Sequence, residues 1–216
     1  MDNILDEFEE EPLSFTFEEI VMEIWTNPRQ VFRFIQSRHY EEYMLALLIV
    51  AGISKAFDRA STTGMGDTLP LYGVITACVF SGLIFGWLTA YIYAALMSWT
   101  GRWISGEADT RSIMRVIAYA SIPTIIAMIF LIPQVILYGD HVFRDEGDVV
   151  SDSMLQNVIY WGSVIMEVLL GIYSLVLHVI GISEVQEFGI GKAILNMLLP
   201  ILFIAIPILL LVLLIT

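Results

Sequence analysis

An apolar run long enough to cross a bilayer, Met154 to Ile182, carries one polar face. Within it Tyr160, Ser163, Glu167, Gly171, Ser174 and His178 recur at spacings of three and four. A helix turning about 100° per residue gathers them on one narrow side. Glu167 falls near the middle of the run, where an ionised carboxylate costs at least about 2.5 kcal/mol on the most lenient insertion scales. Such a stripe has to face protein or water rather than lipid. The remaining chain must therefore supply helices for it to face.

Composition agrees with a membrane chain. Of 216 residues 57% are hydrophobic and 15% charged, against roughly 45–50% and about 25% in soluble globular proteins. The single cysteine, Cys78, sits in an apolar run and excludes a disulfide framework or thiol metal cluster. Nine acids precede the first base, Arg29, which makes nucleic acid an unsuitable partner. The N-terminus lacks the basic stretch and apolar core of a secretory leader, and none is expected.

Taken in order, residues 1–17 read as an acidic flexible tail, and 18–41 as amphipathic helical segments. Asn27 is suited to cap, and Pro28 to open, a helix running to about His39. Its mixture of aromatics, aliphatics and arginines fits an interfacial helix, or one docked on the ends of the spans. Five spans follow, at about 42–58, 69–97, 113–137, 154–182 and 192–215. The first is short and ends near Lys55, whose amine can snorkel. Residues 58–69 read as a Ser/Thr/Gly loop. In the second, Gly82, Gly86, Ala90 and Ala94 form one row of small residues suited to close helix packing. The third contains Pro123 and Pro133, where kinks are expected. The acidic loop at 139–153 lacks the spacing of a calcium loop and reads as solvated; no metal or cofactor is expected. The fold expected is thus all-α: a polytopic integral membrane protein of five transmembrane helices with an N-terminal interfacial helix.

Orientation follows from basic residues beside the spans. Arg29, Arg33, Arg38, Arg102, Arg111, Arg115 and Lys192 lie on one side, and Lys55, Arg59 and Arg144 on the other. Seven against three places the N-terminus in the cytoplasm and the C-terminus outside.

The order of these features resembles the Yip1 family of five-span membrane proteins, in particular its bacterial branch. A Gly106-containing turn leads to Ser112, Arg115 and Val116, then Ala118-Tyr119-Ala120-Ser121-Ile122-Pro123, similar to the family's entry to its third span. Gly181-Ile182-Ser183, an acidic turn and Lys192-Ala193-Ile194 form a second match, and Asn27-Pro28-Arg29 with Phe32 a third. The resemblance implies an N-cytoplasmic, C-outside bundle in a bacterial cytoplasmic membrane. It also implies action through lipid, membrane-protein or homo-oligomeric contacts in membrane organisation or traffic. Eukaryotic members are associated with small GTPases through a long cytosolic domain. This chain has only a short acidic tail in that place, so GTPase binding is not carried over.

No nucleotide loop, zinc-spaced histidine pair or nucleophile elbow is present. Two readings of the stripe remain. In one, Glu167 pairs with Lys55 or hydrogen-bonds neighbouring spans, while Gly171 and Ser174 permit close packing. In the other, Glu167 and His178 form a polar path for a small transporter or channel. The two lie about 16 Å apart along the helix, too far to share a reaction centre, and no enzyme is expected. For the Arg111–Arg115 face, headgroup contact and a partner site are the alternatives.

Overall fold

The computed structural model describes residues 14–145 and 153–215, and among them all regular structure is helical. Most of the acidic tail, together with Glu146, Asp148 and Asp152, lies outside the described residues. Two short helices, α1 (Phe17–Glu23) and α2 (Pro28–Ser37), precede α3 (Met44–Thr62), α4 (Leu71–Gly101), α5 (Thr110–Ala120), α6 (Ile122–Tyr138), α7 (Met154–Val185) and α8 (Ile190–Ile215). Four stretches are long and apolar enough to cross a membrane: Leu71–Ile104, Thr110–Phe143, Met154–Val185 and Ile190–Pro207. The α3 helix falls outside that set. It has 19 residues and concentrates Lys55, Asp58 and Arg59 in its second half.

The N-terminal helices are tied to the bundle. Thr16 and Glu19 form a reciprocal capping box that starts α1. Asn27 occupies the N-cap position of α2, but its side chain makes no capping bond; its Nδ2 donates instead to Glu23 Oε2 at 2.8 Å and closes the turn between the two helices. Pro28 does open α2. Ile20, Ile24, Val31, Phe32, Phe34 and Ile35 are buried together with Ile113, Val116 and Ile117 of α5 and Leu177 and Ile182 of α7. A smaller cluster of Ala60, Val74, Cys78 and Phe143 fills the opposite end.

The closest approach in the bundle is between α3 and α4. A Cβ placed on Gly52 would lie 2.3 Å from the Gly86 Cα, and one on Gly82 would lie 2.5 Å from the Ile53 Cα. The GxxxG row therefore packs backbone on backbone, as its small residues imply, and Ala90 and Ala94 continue it as buried positions. Its counterpart on the facing helix is Gly52. The loop expected from residue 58 begins later, because α3 runs on to Thr62 and keeps Asp58 and Arg59 on the helix.

The third apolar stretch is broken rather than gently kinked. Residue Ser121 separates α5 from α6, and Pro123 occupies the first turn of α6, where its missing N–H is harmless. Hydroxyls take up the carbonyls around the break: Ser121 Oγ donates to Ile117 O at 2.7 Å and Thr124 Oγ1 to Ser121 O at 2.8 Å. Pro133 is tolerated within α6.

A packing role for Gly171 is overturned, since a Cβ there would meet nothing within 4 Å. Substituting leucine at Gly86 forces a side chain into the α3 backbone, a strain of about 1–3 kcal/mol or more. The yield of monodisperse protein and its thermal midpoint in detergent are expected to fall for Gly86→Leu. Gly171→Ala is expected to leave both unchanged or slightly raised.

Candidate functional site: a polar cavity and a latched hairpin

Along α7 the predicted stripe divides into two parts. Tyr160, Glu167 and Gly171 line a partly open cavity of about 320 Å3 between α3, α6 and α7. Its other polar walls are Ser54, Asp58, Ser61 and Thr62 of α3 and Thr124 and Gln134 of α6. The Gln134 side chain is buried, and its Nε2 donates to Glu167 Oε1 at 2.6 Å. Thr124 O accepts from Ser54 Oγ at 3.3 Å. The Tyr160 ring meets that of Tyr138 edge-on, with centroids 5.3 Å apart.

Ser163, Ser174 and His178 do not line the cavity. Ser163 Oγ donates to Ile159 O within α7 at 2.9 Å. Ser174 Oγ crosses to α5 and donates to Ala120 O at 2.7 Å, satisfying a carbonyl at the end of that helix. His178 Nδ1 lies 2.8 Å from Ser174 O. A carbonyl only accepts, so this contact places the ring proton on Nδ1.

Lys55 is not the partner of Glu167. Among the described residues it forms no ion pair with that carboxyl, whose place is taken by Gln134. The lysine borders a separate groove between α3 and α4. Glu167 is not the only acid in the cavity. Asp58 lines the same cavity, brought there because α3 extends beyond its predicted end. Gln134 was open to discovery as an isolated amide in an otherwise apolar run. Asp58 carries no such mark, because it falls where the expected span meets the expected loop.

At the other end, Arg115 is 3% exposed and gathers the segment between α2 and α3. Its guanidinium meets Glu41 Oε1 at 3.2 Å, Gln36 Oε1 at 3.1 Å, His39 Nδ1 at 3.2 Å and Ser112 Oγ at 2.9 Å. Arg111 grips Glu41 with two further bonds, at 2.6 and 2.5 Å. Both arginines of the Arg111–Arg115 face bond Glu41, Arg115 from a buried position and Arg111 from an exposed one. The Arg111 guanidinium, by hydrogen bond and charge, holds the Glu41 carboxyl below its usual range. Tyr119 donates its hydroxyl to Glu42 O, and Tyr40 donates to the Glu42 carboxylate at 2.6 Å. His39 and Tyr43 adopt left-handed backbone (φ 48° and 58°), a conformation that non-glycine residues hold only when their surroundings enforce it.

Further ties hold the hairpin of α1 and α2. Arg29 and Arg33 reach Glu184 of α7 at 3.4 and 2.9 Å. Tyr173 donates to Ile24 O and Trp25 O at 3.0 and 2.9 Å while its ring stacks on Trp25. The same end is closed by buried amides: Gln186 bonds Asn196 Oδ1 and the Ala108 N–H, and Asn196 Nδ2 donates to Met97 O, each at 3.0 Å. Gly101 and Gly106 leave room for that glutamine. The family-like residues Arg115, Tyr119 and Pro123 thus form one unit that pins the hairpin and breaks the span.

A helical bundle with four apolar membrane-length helices, polar contacts turned inward and bare hydrophobic flanks belongs to the class of polytopic α-helical membrane proteins. The family model for the Yip1 domain matches residues 22–213, nearly the whole chain, which therefore belongs to the Yip1 domain family. Comparison with curated proteins and with solved structures gave no match.

Because the Glu41 carboxyl is depressed, its contribution to holding the hairpin is fully present above the ordinary carboxylate pKa of about 4.3 and is lost as pH falls through its lower folded value. Hydrogen exchange over residues 28–43, corrected for intrinsic rate, is expected to stay slow from pH 7 to about 5 and to rise only below that range. Glu41→Gln leaves the buried Arg115 without its counter-charge, at a cost of up to about 3 kcal/mol. Exchange in that variant is expected to be fast already at pH 7.

Proposed function

We propose that this is a five-span protein of a bacterial cytoplasmic membrane, with its hairpin at the cytoplasmic face and its C-terminus outside. It acts without catalysis, by helix packing and by contact with lipids and other membrane proteins or a second copy, in membrane organisation or traffic. The fifth span is α3. Its 19 residues extend about 28 Å, close to the hydrocarbon thickness, and its backbone contact with the apolar α4 gives the two helices a common depth. The orientation is supported by the seven-to-three distribution of basic residues. The exposed flank of the hairpin then rests at the cytoplasmic interface.

One observation supports a packing role over a transport role. The stripe does not continue as a polar path, because the cavity walls end at Gly171 while Ser174 and His178 are committed to backbone carbonyls. The second reading, a small channel or transporter using Glu167 and His178, draws support from the 320 Å3 cavity and its paired acids, Asp58 and Glu167.

Proton flux in liposomes separates the two. A packing protein is expected to show none above empty vesicles, and Glu167→Gln, which preserves an amide partner for Gln134, is expected to assemble normally. Flux in the native chain that disappears in Glu167→Gln would establish the transport reading instead. An alkaline phosphatase fused to the C-terminus is expected to be active; inactivity there together with activity at the N-terminus would invert the orientation.

A further inference from the structure

The flank of α3 that turns away from the acidic cavity borders a groove of about 660 Å3 against α4, with Ile117 of α5 also in its wall. Lys55 and Arg59, one helical turn apart, both line it. Among the described residues neither forms an ion pair within 4 Å; the pairs found there involve Arg29, Arg33, Arg111, Arg115 and Arg144. The nearby carboxylate on the same helix, Asp58, interacts with Lys55 through its charge but lines the neighbouring cavity.

The groove's hydroxyls are already used as donors. Ser81 donates to Cys78 O at 3.2 Å, Thr89 to Phe85 O at 2.8 Å and Tyr93 to Met197 O of α8 at 2.8 Å. The donors left over are therefore one ammonium and one guanidinium. The rest of the wall is smooth and apolar, formed by Gly82, Gly86, Ala90 and Phe85. Arg59 lies one turn from the end of α3, and from Ser81 to Tyr93 the groove descends about 18 Å along α4 away from that end.

Two cations on one groove against the single nearby acid, Asp58, leave a net positive charge that is costly inside a bilayer and that an anion in the groove offsets. The anion abundant at that level is a phosphate attached to an apolar tail. We propose that the groove between α3 and α4 binds an anionic phospholipid, its headgroup phosphate on Lys55 and Arg59 and an acyl chain along the Gly82–Gly86–Ala90 wall. This deepens the lipid-contact reading above by assigning the lipid class and its seat.

The test is native mass spectrometry of the full chain in detergent, titrated with phosphatidylglycerol, phosphatidylcholine or diacylglycerol. One phosphatidylglycerol per chain is expected to be retained in preference to the other two. The double variant Lys55→Gln, Arg59→Gln is expected to weaken that retention roughly tenfold or more. Thr89→Trp, which fills the groove and leaves both cations, is expected to weaken it as well. Helicity and monodispersity are checked for each variant; if the double variant fails to fold, the comparison of lipids on the native chain decides. Equal retention of the three lipids, or unchanged retention in the folded double variant, overturns the proposal. Displacement of phosphatidylglycerol by inorganic phosphate at equal concentration overturns it too, by revealing a site for a soluble anion. The readout depends on neither orientation nor flux, so failure here is distinguishable from failure of the five-span reading.

Discussion

The contact on which the rest of the bundle depends is the backbone approach of α3 to α4 at Gly52, Gly82 and Gly86. In a bilayer, helix association has no hydrophobic driving force between apolar surfaces and relies on close packing and polar contacts. Side chains at these glycines would hold the helices apart. With none there, α3 is carried alongside a long apolar helix despite its three charges, and its rotation is set. That rotation sends Asp58 toward α6 and α7 and sends Lys55 and Arg59 toward the groove. A short helix that fails on its own apolarity is thereby made the divider between an acidic cavity and a basic groove.

The opposite end is held by different physics. There the core is a dense cluster of aliphatic and aromatic side chains contributed by α1, α2, α5 and α7, with buried amides and an arginine pair at its edge. Arg115 has to be paired once it is buried, and Glu41 meets that need only if the chain between α2 and α3 turns back tightly. The left-handed residues His39 and Tyr43 are the local consequence. Burial of the arginine and strain in the connection are two parts of one arrangement.

Much of the fold was legible because its signals are local. Apolar runs marked the long helices, Pro28 marked a helix start, and the row from Gly82 to Ala94 marked a packing face. Errors came where partners decide. Asn27 sits at the N-cap position, yet its side chain bonds Glu23 from the preceding helix instead of an α2 N–H. Lys55 was matched to Glu167 by depth alone. Depth along a helix is readable from residue numbers, but the direction in which α3 faces is set by α4. Gly171 shares the spacing of a packing glycine and faces open space, since periodicity reports a common face and not what lies across from it.

The sequence by itself determined the class of the chain, its apolar helices and the position of a carboxylate midway along one of them, because length, hydropathy and helical period are properties of single segments. Tertiary structure alone decided how the stripe divides between a cavity and a set of backbone contacts. Glu167 finds Gln134 and shares a cavity with Asp58, while Ser174 closes the end of α5. Those partners are distant in sequence, and only the packing of α3, α5, α6 and α7 brings them within reach of the stripe.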